Sequence, residues 1–220
     1  MTPPDLIIFD CDGVLIDSEI LVHQALVDTL QEYGIQMSCE EALRRYVGFP
    51  SDYEKRDIEA RYHITLSEKF FEKRYDRVTD LYKKGLNPIL GAPEFVKALP
   101  FKKCVASGSS LKRLNHCLEL VGLWNYFVPN VFSSEQVKNG KPAPDLFLFA
   151  AKQMGAEAAS CLVIEDSIAG VHAAKAANMR VFGFAGGSHC GPEHAKNLQA
   201  EGAEKVFVKM DDIAEFLSYK

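Results

Sequence analysis

The chain has 220 residues, of which 47% are hydrophobic and 25% are charged, a composition typical of a globular protein with a sizeable core. Aspartate and glutamate number 30 against 25 lysines and arginines, which gives a formal net charge of -5. That acidic balance argues against a sequence-independent hold on nucleic acid or on an anionic membrane surface, so we expect neither as a partner.

The first apolar run and the spacing of the cysteines both indicate where in the cell the protein is located. The run Leu6–Phe9 is far shorter than the roughly 18 residues that a membrane helix requires, and acidic rather than basic residues flank it. The six cysteines form no Cys-x-x-Cys pair, and three of them lie in or beside apolar runs, where a thiol packs as a small hydrophobic group. We therefore expect reduced thiols, a cytoplasmic location and no membrane partner.

Taken in chain order, short apolar runs alternate with amphipathic segments. The runs that predict buried strands are residues 6–9, 104–106, 161–164, 181–184 and 206–208. The segments that predict helices are residues 93–99, 111–120, 144–154, 168–177, 192–200 and 212–217. This alternation indicates an α/β fold, a doubly wound parallel sheet with helices on both faces.

Residues 16–85 break this alternation, since they contain no convincing strand and hold three patterns of the capping-box type. These patterns are Ser38 with Glu41, Ser51 with Glu54, and Thr65 with Glu68. A first helix is predicted over residues 19–33, ending at Gly34. Because a strand-to-helix connection normally takes only a few residues, we expect an inserted all-α domain at 16–85 within a core formed by 1–15 and 86–220.

Polar residues follow three of the predicted strands, and ligands collect at the carboxyl ends of strands in open α/β sheets. The residues are Asp10 and Asp12 after the first run, Ser107, Gly108 and Ser109 after the second, and Glu165 and Asp166 after the third. Carboxylates brought this close repel one another unless a cation lies among them. Hard oxygen ligands without neighbouring histidine or cysteine favour magnesium, so we expect Mg²⁺ as the cofactor.

A positive side chain and a small-residue turn complete the predicted site. Lys141 lies in a Lys-Pro-Ala-Pro-Asp segment whose prolines restrict the backbone before the next helix. The turn at residues 107–109 precedes another helix and offers backbone N–H donors and a hydroxyl. A lysine beside a metal, with such a turn, is suited to a phosphate group.

The segment Asp-Cys-Asp-Gly-Val-Leu-Ile-Asp-Ser-Glu at residues 10–19, followed in order by Ser107, Lys141 and Glu165-Asp166, resembles the four motifs of the haloacid dehalogenase superfamily. The resemblance is to its β-phosphoglucomutase-like phosphatase branch, and the motifs span nearly the whole chain. It implies a Rossmann-like core with a helical cap inserted after the first strand, and a small phosphorylated metabolite as the partner.

The resemblance also implies a role for each matching residue. Asp10 would be the nucleophile that becomes an aspartyl phosphate, and Asp12 the general acid and base. Magnesium would be held by the Asp10 carboxylate, the Asp12 backbone carbonyl and Asp166, with Glu165 either a further ligand or an anchor for the ligands. The turn Ser107, Gly108 and Ser109 would hold phosphoryl oxygens, while Lys141 would neutralise charge in the displacement.

The same residues leave alternatives open. The related hexose phosphate mutases carry a cap arginine and histidine where this chain has Ser51 and Val22, so a phosphatase is favoured over a mutase. A catalytically silent metal- or phosphate-binding regulatory module is a second alternative, which the presence of both Asp10 and Asp12 disfavours. The Glu165-Asp166-Ser167 segment could equally begin a helix, with Ser167 as its cap.

The prediction is therefore a magnesium-dependent phosphatase, monomeric, acting on a sugar phosphate or sugar acid phosphate. Selection among such substrates is assigned to the cap, at Gly48, Phe49 and Ser51. The cluster His189, Cys190 and His194 has irregular spacing in a glycine-rich connection, which favours an exposed loop without a functional role.

Overall fold

The computed structural model describes residues 3–48 and 51–218. It divides the chain into two compact units, Met1–Asp17 with Asn87–Lys220, and Ser18–Leu86. In chain order the elements are β1 (Leu6–Phe9), α1 (Glu19–Glu32), α2 (Cys39–Tyr46), α3 (Ser51–Tyr62), α4 (Glu68–Gly85), α5 (Ala92–Ala98), β2 (Lys102–Ser107), α6 (Leu111–Leu120), α7 (Trp124–Phe127), β3 (Val131–Ser133), α8 (Asp145–Gln153), β4 (Cys161–Glu165), α9 (Ile168–Ala176), β5 (Arg180–Phe184), α10 (His194–Ala200), β6 (Lys205–Phe207) and α11 (Met210–Ser218).

The first unit is built on a parallel sheet. In the described part of the chain six strands form this sheet, in the order β3-β2-β1-β4-β5-β6. The order reverses at β1, and in doubly wound proteins the crevice beyond the strand ends at such a point is where ligands bind. The predicted α/β fold with a parallel sheet is confirmed.

Strand β1 shows why the sheet strands are continuous apolar runs. All four of its residues are completely buried, because helices cover both faces of the sheet. Ile8 belongs to a core cluster that includes Val163 of β4 and Phe147 of α8. Phe9 points the other way and makes edge-to-face contacts with Phe95 and Phe127, with ring centroids 5.9 and 5.7 Å away.

The five predicted strands and the six predicted helices of this unit are present, with ends shifted by a few residues. Strand β3 was not predicted. It has only three residues and lies at the edge of the sheet, beside β2 alone. A run of this length is too short to show a hydrophobic period, and Pro129 and Asn130 before it suggest a turn.

The second unit consists of helices α1 to α4 around its own core. Its buried side chains are Leu26, Leu30, Ile35, Met37, Ala42, Tyr46, Ile58, Leu66 and Phe70. Tyr46 donates its hydroxyl to Asp57 Oδ2 at 2.8 Å, and Arg74 forms an ion pair with the buried Glu54. A separate core of this kind agrees with an insertion that folds as a domain. We propose 1–15 with 86–220 and 16–85 as the domain boundaries, close to the limits of the two units.

The predicted helix caps of this unit have different outcomes. Ser38 caps α2 by accepting a hydrogen bond from Glu41 N at 3.0 Å. The Thr65 cap is wrong, since α4 begins at Glu68 and the capping position is Ser67. Helix α3 begins at Ser51, whose side chain lies outside the described residues. Within the described ranges, we find no helix with the length and apolar character needed to cross a membrane.

Candidate active site

The carboxyl ends of the central strands bring the predicted polar residues to one edge of the sheet. Asp10 follows β1, Ser107 ends β2 and Glu165 ends β4. The Asp10 amide donates to Ile164 O at 3.0 Å, which continues the pairing of β1 with β4 past the end of β1. Asp10, Ser107 and Glu165 are all buried. Their shared edge follows from parallel pairing, because it aligns the ends of neighbouring strands.

Three acidic side chains form a cluster at this edge. Asp10, Glu165 and Asp166 each place a carboxylate oxygen within 4.8 Å of the others. Gly13 makes room for Asp166, since a Cβ at Gly13 would overlap the carboxylate of Asp166. Gly13 also has a positive φ of 75°, a conformation that favours glycine. We refer to Asp10, Glu165 and Asp166 as the acidic cluster.

Lys141 brings a positive charge into contact with this cluster. Its Nζ lies 2.6 Å from Asp10 Oδ1 and 2.6 Å from Glu165 Oε1. The ammonium group also lies 4.8 Å from the ring centroid of Phe147. Burial disfavours the charged form of Lys141, but Asp10 and Glu165 outweigh that effect and hold the Lys141 pKa above its ordinary value. Lys141 is therefore protonated at neutral pH.

Glu165 is held from two sides. Its Oε1 accepts from Lys141, while Oε2 accepts from Ser167 N at 2.7 Å and Ser167 Oγ at 2.9 Å. Ser167 also accepts from Gly170 N at 3.0 Å and so caps α9, which confirms the predicted cap. A side chain at Gly170 would overlap Glu165. Both oxygens of Glu165 are thus engaged, and the residue fixes the position of Lys141.

The acidic cluster fits a divalent cation. Burial raises the pKa of Asp10 and Asp166 well above the ordinary value, and mutual repulsion with Glu165 raises both further, whereas Lys141 acts in the opposite direction. The single positive charge of Lys141 does not neutralise the negative charges of these three carboxylates. Adding a cation with hard oxygen preferences would reverse the repulsion and keep the acids ionised. The donor set therefore suits a divalent metal of this kind.

The side chain of Asp12 is held by α6 and the turn before it. Ser109 Oγ donates to Asp12 Oδ2 at 2.7 Å, and Arg113 Nη2 donates to Asp12 Oδ1 at 2.6 Å. The Asp12 side chain remains 14% exposed, more than the 9% of Asp10, so it can reach solvent or a ligand. Arg113 was not predicted from the sequence. The one feature of the sequence that could have pointed to Arg113 is its position near the start of α6, directly after residues 107–109.

The turn at residues 107–109 is fixed by hydroxyl groups. Ser107 Oγ accepts from Ser109 N at 3.2 Å. Ser133 Oγ donates to Ser109 O at 2.7 Å, and Ser134 Oγ donates to Gly108 O at 2.8 Å. Because a trans peptide points its N–H away from its C=O, these bonds also set the direction of the amides that follow. Ser133 and Ser134 were missed together with the edge strand β3.

The interpretation of the loop after β5 as exposed is wrong for His189. The His189 side chain is only 1% exposed, and its Nε2 lies 3.1 Å from Asp166 Oδ2. His194 Nε2 lies 2.7 Å from Asp166 O, and burial lowers the pKa of His194. Ser188 donates N–H and Oγ–H to Asp17 Oδ1 at 3.1 and 2.7 Å. The loop therefore folds back over the ends of β1 and β4. The local amino-acid composition of the loop gives no indication of this path.

The residues assigned to substrate selection lie in the second unit. Gly48 is exposed and has a φ of 78° after the end of α2. Phe49 lies outside the described residues, as does the side chain of Ser51. Their assigned role stays a prediction.

The fold is that of an α/β protein with a doubly wound sheet. At the point where its strand order reverses, it carries the acidic cluster, a lysine and a turn with hydroxyl groups. This site is suited to phosphate chemistry. Residues 7–184 match the family model described as haloacid dehalogenase-like hydrolase. The chain belongs to the haloacid dehalogenase-like hydrolase family. The resemblance drawn from the motifs is confirmed, and so is the expectation that the protein is an enzyme.

Individual relatives agree with this assignment. The chain is 33% identical over 194 residues to the 6-phosphogluconate phosphatase of Escherichia coli, covering 87% of each chain. It is 33% identical over 186 residues to the phosphorylated carbohydrates phosphatase of Thermotoga maritima, covering 81% of this chain and 84% of the relative. A solved structure of a conserved haloacid dehalogenase-like protein of unknown function from Agrobacterium tumefaciens has a TM-score of 0.86 and 38% identity, with 98% of each chain covered.

Proposed function

We propose that this protein is a magnesium-dependent phosphatase that hydrolyses a sugar phosphate or sugar acid phosphate through an aspartyl phosphate on Asp10. The observation that carries the proposal is the contact of Lys141 with both Asp10 and Glu165 at the edge of the sheet that also holds Asp12 and the turn at residues 107–109. The phosphatases of E. coli and T. maritima, named for 6-phosphogluconate and for phosphorylated carbohydrates, support the substrate class.

The metal would be held by the carboxylates of Asp10 and Asp166 and by the backbone carbonyl of Asp12. When bound, magnesium supplies positive charge that lets an anionic nucleophile approach a phosphate dianion. We assign Glu165 to positioning rather than ligation, because its two oxygens are engaged by Lys141 and Ser167. His189, in contact with Asp166 Oδ2, orients that carboxylate.

In the first step the Asp10 carboxylate attacks phosphorus, and the bond from phosphorus to the sugar oxygen breaks as the Asp10–phosphorus bond forms. Asp12, in its protonated form, gives its proton to the leaving sugar oxygen. Lys141 and the donors of the turn at residues 107–109 stabilise the charge on the transferring group. The products are a free sugar and an aspartyl phosphate.

In the second step Asp12 is ionised and takes a proton from a water molecule, which attacks the phosphorus of the aspartyl phosphate. The bond to Asp10 breaks, inorganic phosphate leaves, and both residues return to their starting state. Asp12 alternates between acid and base, so a side chain fixed in direction but still partly exposed is suited to the role.

A monomer in the cytoplasm completes the proposal. The six cysteines, all within the described residues, are thiols rather than disulfides, and four of them are buried, where they pack as small apolar groups. We propose water as the phosphate acceptor because the positions equivalent to the phosphate-gripping groups of the mutases are Ser51 and Val22.

The test is phosphate release from a panel of sugar phosphates, sugar acid phosphates and nucleotides, with and without Mg²⁺. We expect magnesium-dependent release from at least one sugar compound, with inactivity of Asp10→Asn. Asp80→Asn, at an exposed acid of α4, is the matched control and should retain full activity. Transfer to a phosphosugar without free phosphate would instead indicate a mutase, and binding of Mg²⁺ and phosphate without turnover on the whole panel would indicate a regulatory module.

A further inference from the structure

A second group of metal-ligating side chains lies in the loop between β5 and α10. His189, Cys190 and His194 each place a ligand atom within 4.8 Å of the others. This set contains two imidazoles and a thiol, whereas the acidic cluster offers oxygen alone. We propose that these three residues form a separate site for zinc or another thiophilic divalent metal, with its fourth position open to water.

The spacing of two ligands already approaches that of a metal site. Cys190 Sγ lies 3.4 Å from His189 Nε2. Ligands at about 2.0 to 2.3 Å from a tetrahedral zinc are roughly 3.3 to 3.8 Å from one another. The imidazoles of His189 and His194 are edge to face, with centroids 5.4 Å apart, so both rings border the same small volume.

The orientation of His194 is fixed by Asp166. Because a carbonyl oxygen can only accept, the 2.7 Å contact between His194 Nε2 and Asp166 O requires that Nε2 carries the hydrogen. The lone pair then resides on Nδ1, the nitrogen left to bind a metal. A histidine that donates one ring N–H to a backbone carbonyl and offers the other nitrogen to the ion is the usual arrangement of a metal-binding imidazole.

The loop that carries the other two ligands is also anchored. The backbone and hydroxyl of Ser188 both donate to Asp17, immediately before His189. The His189 side chain is itself almost completely buried. These anchors reduce the conformational entropy that ordering a metal loop would otherwise require.

A metal at His189, Cys190 and His194 would also affect catalysis. This effect rests on the proposed function, whereas the binding of the metal is independent of it. His189 Nε2 contacts both Cys190 Sγ and Asp166 Oδ2. A metal bound at Nε2 displaces the contact with Asp166, a carboxylate assigned to magnesium. Zinc at His189, Cys190 and His194 should therefore reduce magnesium-dependent turnover, and Cys190→Ser should relieve the inhibition.

The test uses Co²⁺ as a spectroscopic probe on the full chain, reduced and freed of metals, with excess Mg²⁺ present to occupy the acidic cluster. We expect binding of one Co²⁺ with a thiolate-to-cobalt charge-transfer band, and displacement of this band by Zn²⁺. Cys190→Ser should abolish the band and weaken Co²⁺ binding about 10-fold or more. His194→Gln keeps an amide donor for Asp166 O but removes the ring ligand, and should weaken binding similarly.

Cys39→Ser is the matched control, since Cys39 is also partly exposed but lies in the second unit. It should leave the band unchanged. The proposal is overturned if the native chain shows no saturable Co²⁺–thiolate band, if Cys190→Ser retains it, or if Cys39→Ser removes it. Loss of phosphatase activity on every substrate would leave this readout intact, so the two proposals fail separately.

Discussion

Arg113 Nη2 donates a hydrogen bond to Asp12 Oδ1 at 2.6 Å and thereby ties the proposed acid and base to helix α6. Ser109 holds the other oxygen of the same carboxylate at 2.7 Å. With one donor on each oxygen, the carboxylate plane is fixed relative to the turn that is assigned to the phosphoryl group. In the proposed chemistry Arg113 acts through the Asp12 carboxylate, so we regard it as a positioning residue for Asp12.

Replacing Arg113 by methionine should impair proton donation selectively. We expect kcat/KM on a sugar phosphate to fall about 10- to 100-fold, with a loss of less than about 3-fold on p-nitrophenyl phosphate, whose leaving group needs little protonation. Arg113→Lys, which retains a cation, should recover part of the loss. Equal losses on both substrates in steady-state assays would contradict the positioning role.

Replacing Lys141 by methionine should affect both stability and turnover. The metal-free protein should lose about 3 kcal/mol in its free energy of unfolding, because buried carboxylates lose their cation, and kcat should fall about 100-fold or more. Urea denaturation in EDTA and steady-state assays measure the two effects. The control is Lys196→Met, at a side chain that is 79% exposed. Unchanged stability of Lys141→Met relative to this control would argue against the buried ion pair.

Gly13→Ala and Gly34→Ala separate a steric effect at the site from a backbone effect. Gly13 and Gly34 have φ values of 75° and 76°, so the backbone strain of alanine should cost about 1 kcal/mol of stability at each, and the overlap with Asp166 should add to this cost at Gly13. A Cβ at Gly13 would overlap the Asp166 carboxylate, whereas a Cβ at Gly34 would meet no atom of the described residues within 4 Å apart from its own chain neighbours. Only Gly13→Ala should weaken Mg²⁺ binding, about 10-fold or more, by calorimetric titration. Comparable Mg²⁺ affinity in the two variants would contradict the assignment of Asp166 as a ligand.

Thiol reactivity should follow burial. Burial raises the pKa of Cys161 to about 11, with Asp5 and Glu157 adding to the effect, and raises that of Cys117 to about 12 despite the nearby Arg113. A raised pKa leaves about one thiolate in a thousand for Cys161 at pH 8, so its alkylation should increase only as the pH rises further.

Mass spectrometry after iodoacetamide treatment at pH 8 measures this order. The partly exposed Cys39 and Cys190 should react first, and Cys117 and Cys161 only after unfolding in guanidinium chloride. Modification of Cys161 in the native protein as fast as that of Cys190 would show that the core around β4 opens readily.

Much of the fold could be predicted because buried parallel strands have a strong local signature. The run Leu6–Phe9 is apolar throughout since both faces of β1 are covered, and the acids directly after it mark the strand end. β3 has no such signature, because its three residues gain their strand conformation from pairing with β2. Thr65 and Glu68 have the spacing of a capping box. In the structure, however, α4 begins at Glu68 and its capping position is Ser67, so Thr65 lies before the cap.

The site was predictable where a residue type and a strand end coincide, as for Asp10, Ser107 and Glu165. The same rule did not identify Arg113 and His189 as residues of the site. Each reaches the site from an element that is distant in sequence from its partner, Arg113 toward Asp12 and His189 toward Asp166. Such contacts depend on how the chain returns to the sheet, which neither spacing nor composition encodes.

The backbone at the two ends of the inserted segment has an evolutionary consequence. Asp17 N donates to Asn87 O at 3.0 Å, so the sheet unit holds the points of departure and return within one hydrogen bond of each other. A lineage can therefore lengthen, shorten or exchange residues 18–86 while the strands and the proposed catalytic acids keep their places, because closing a gap this small requires only a short loop. Under the proposed function, exchanging this one module would change substrate choice while the residues assigned to phosphoryl transfer are inherited unaltered.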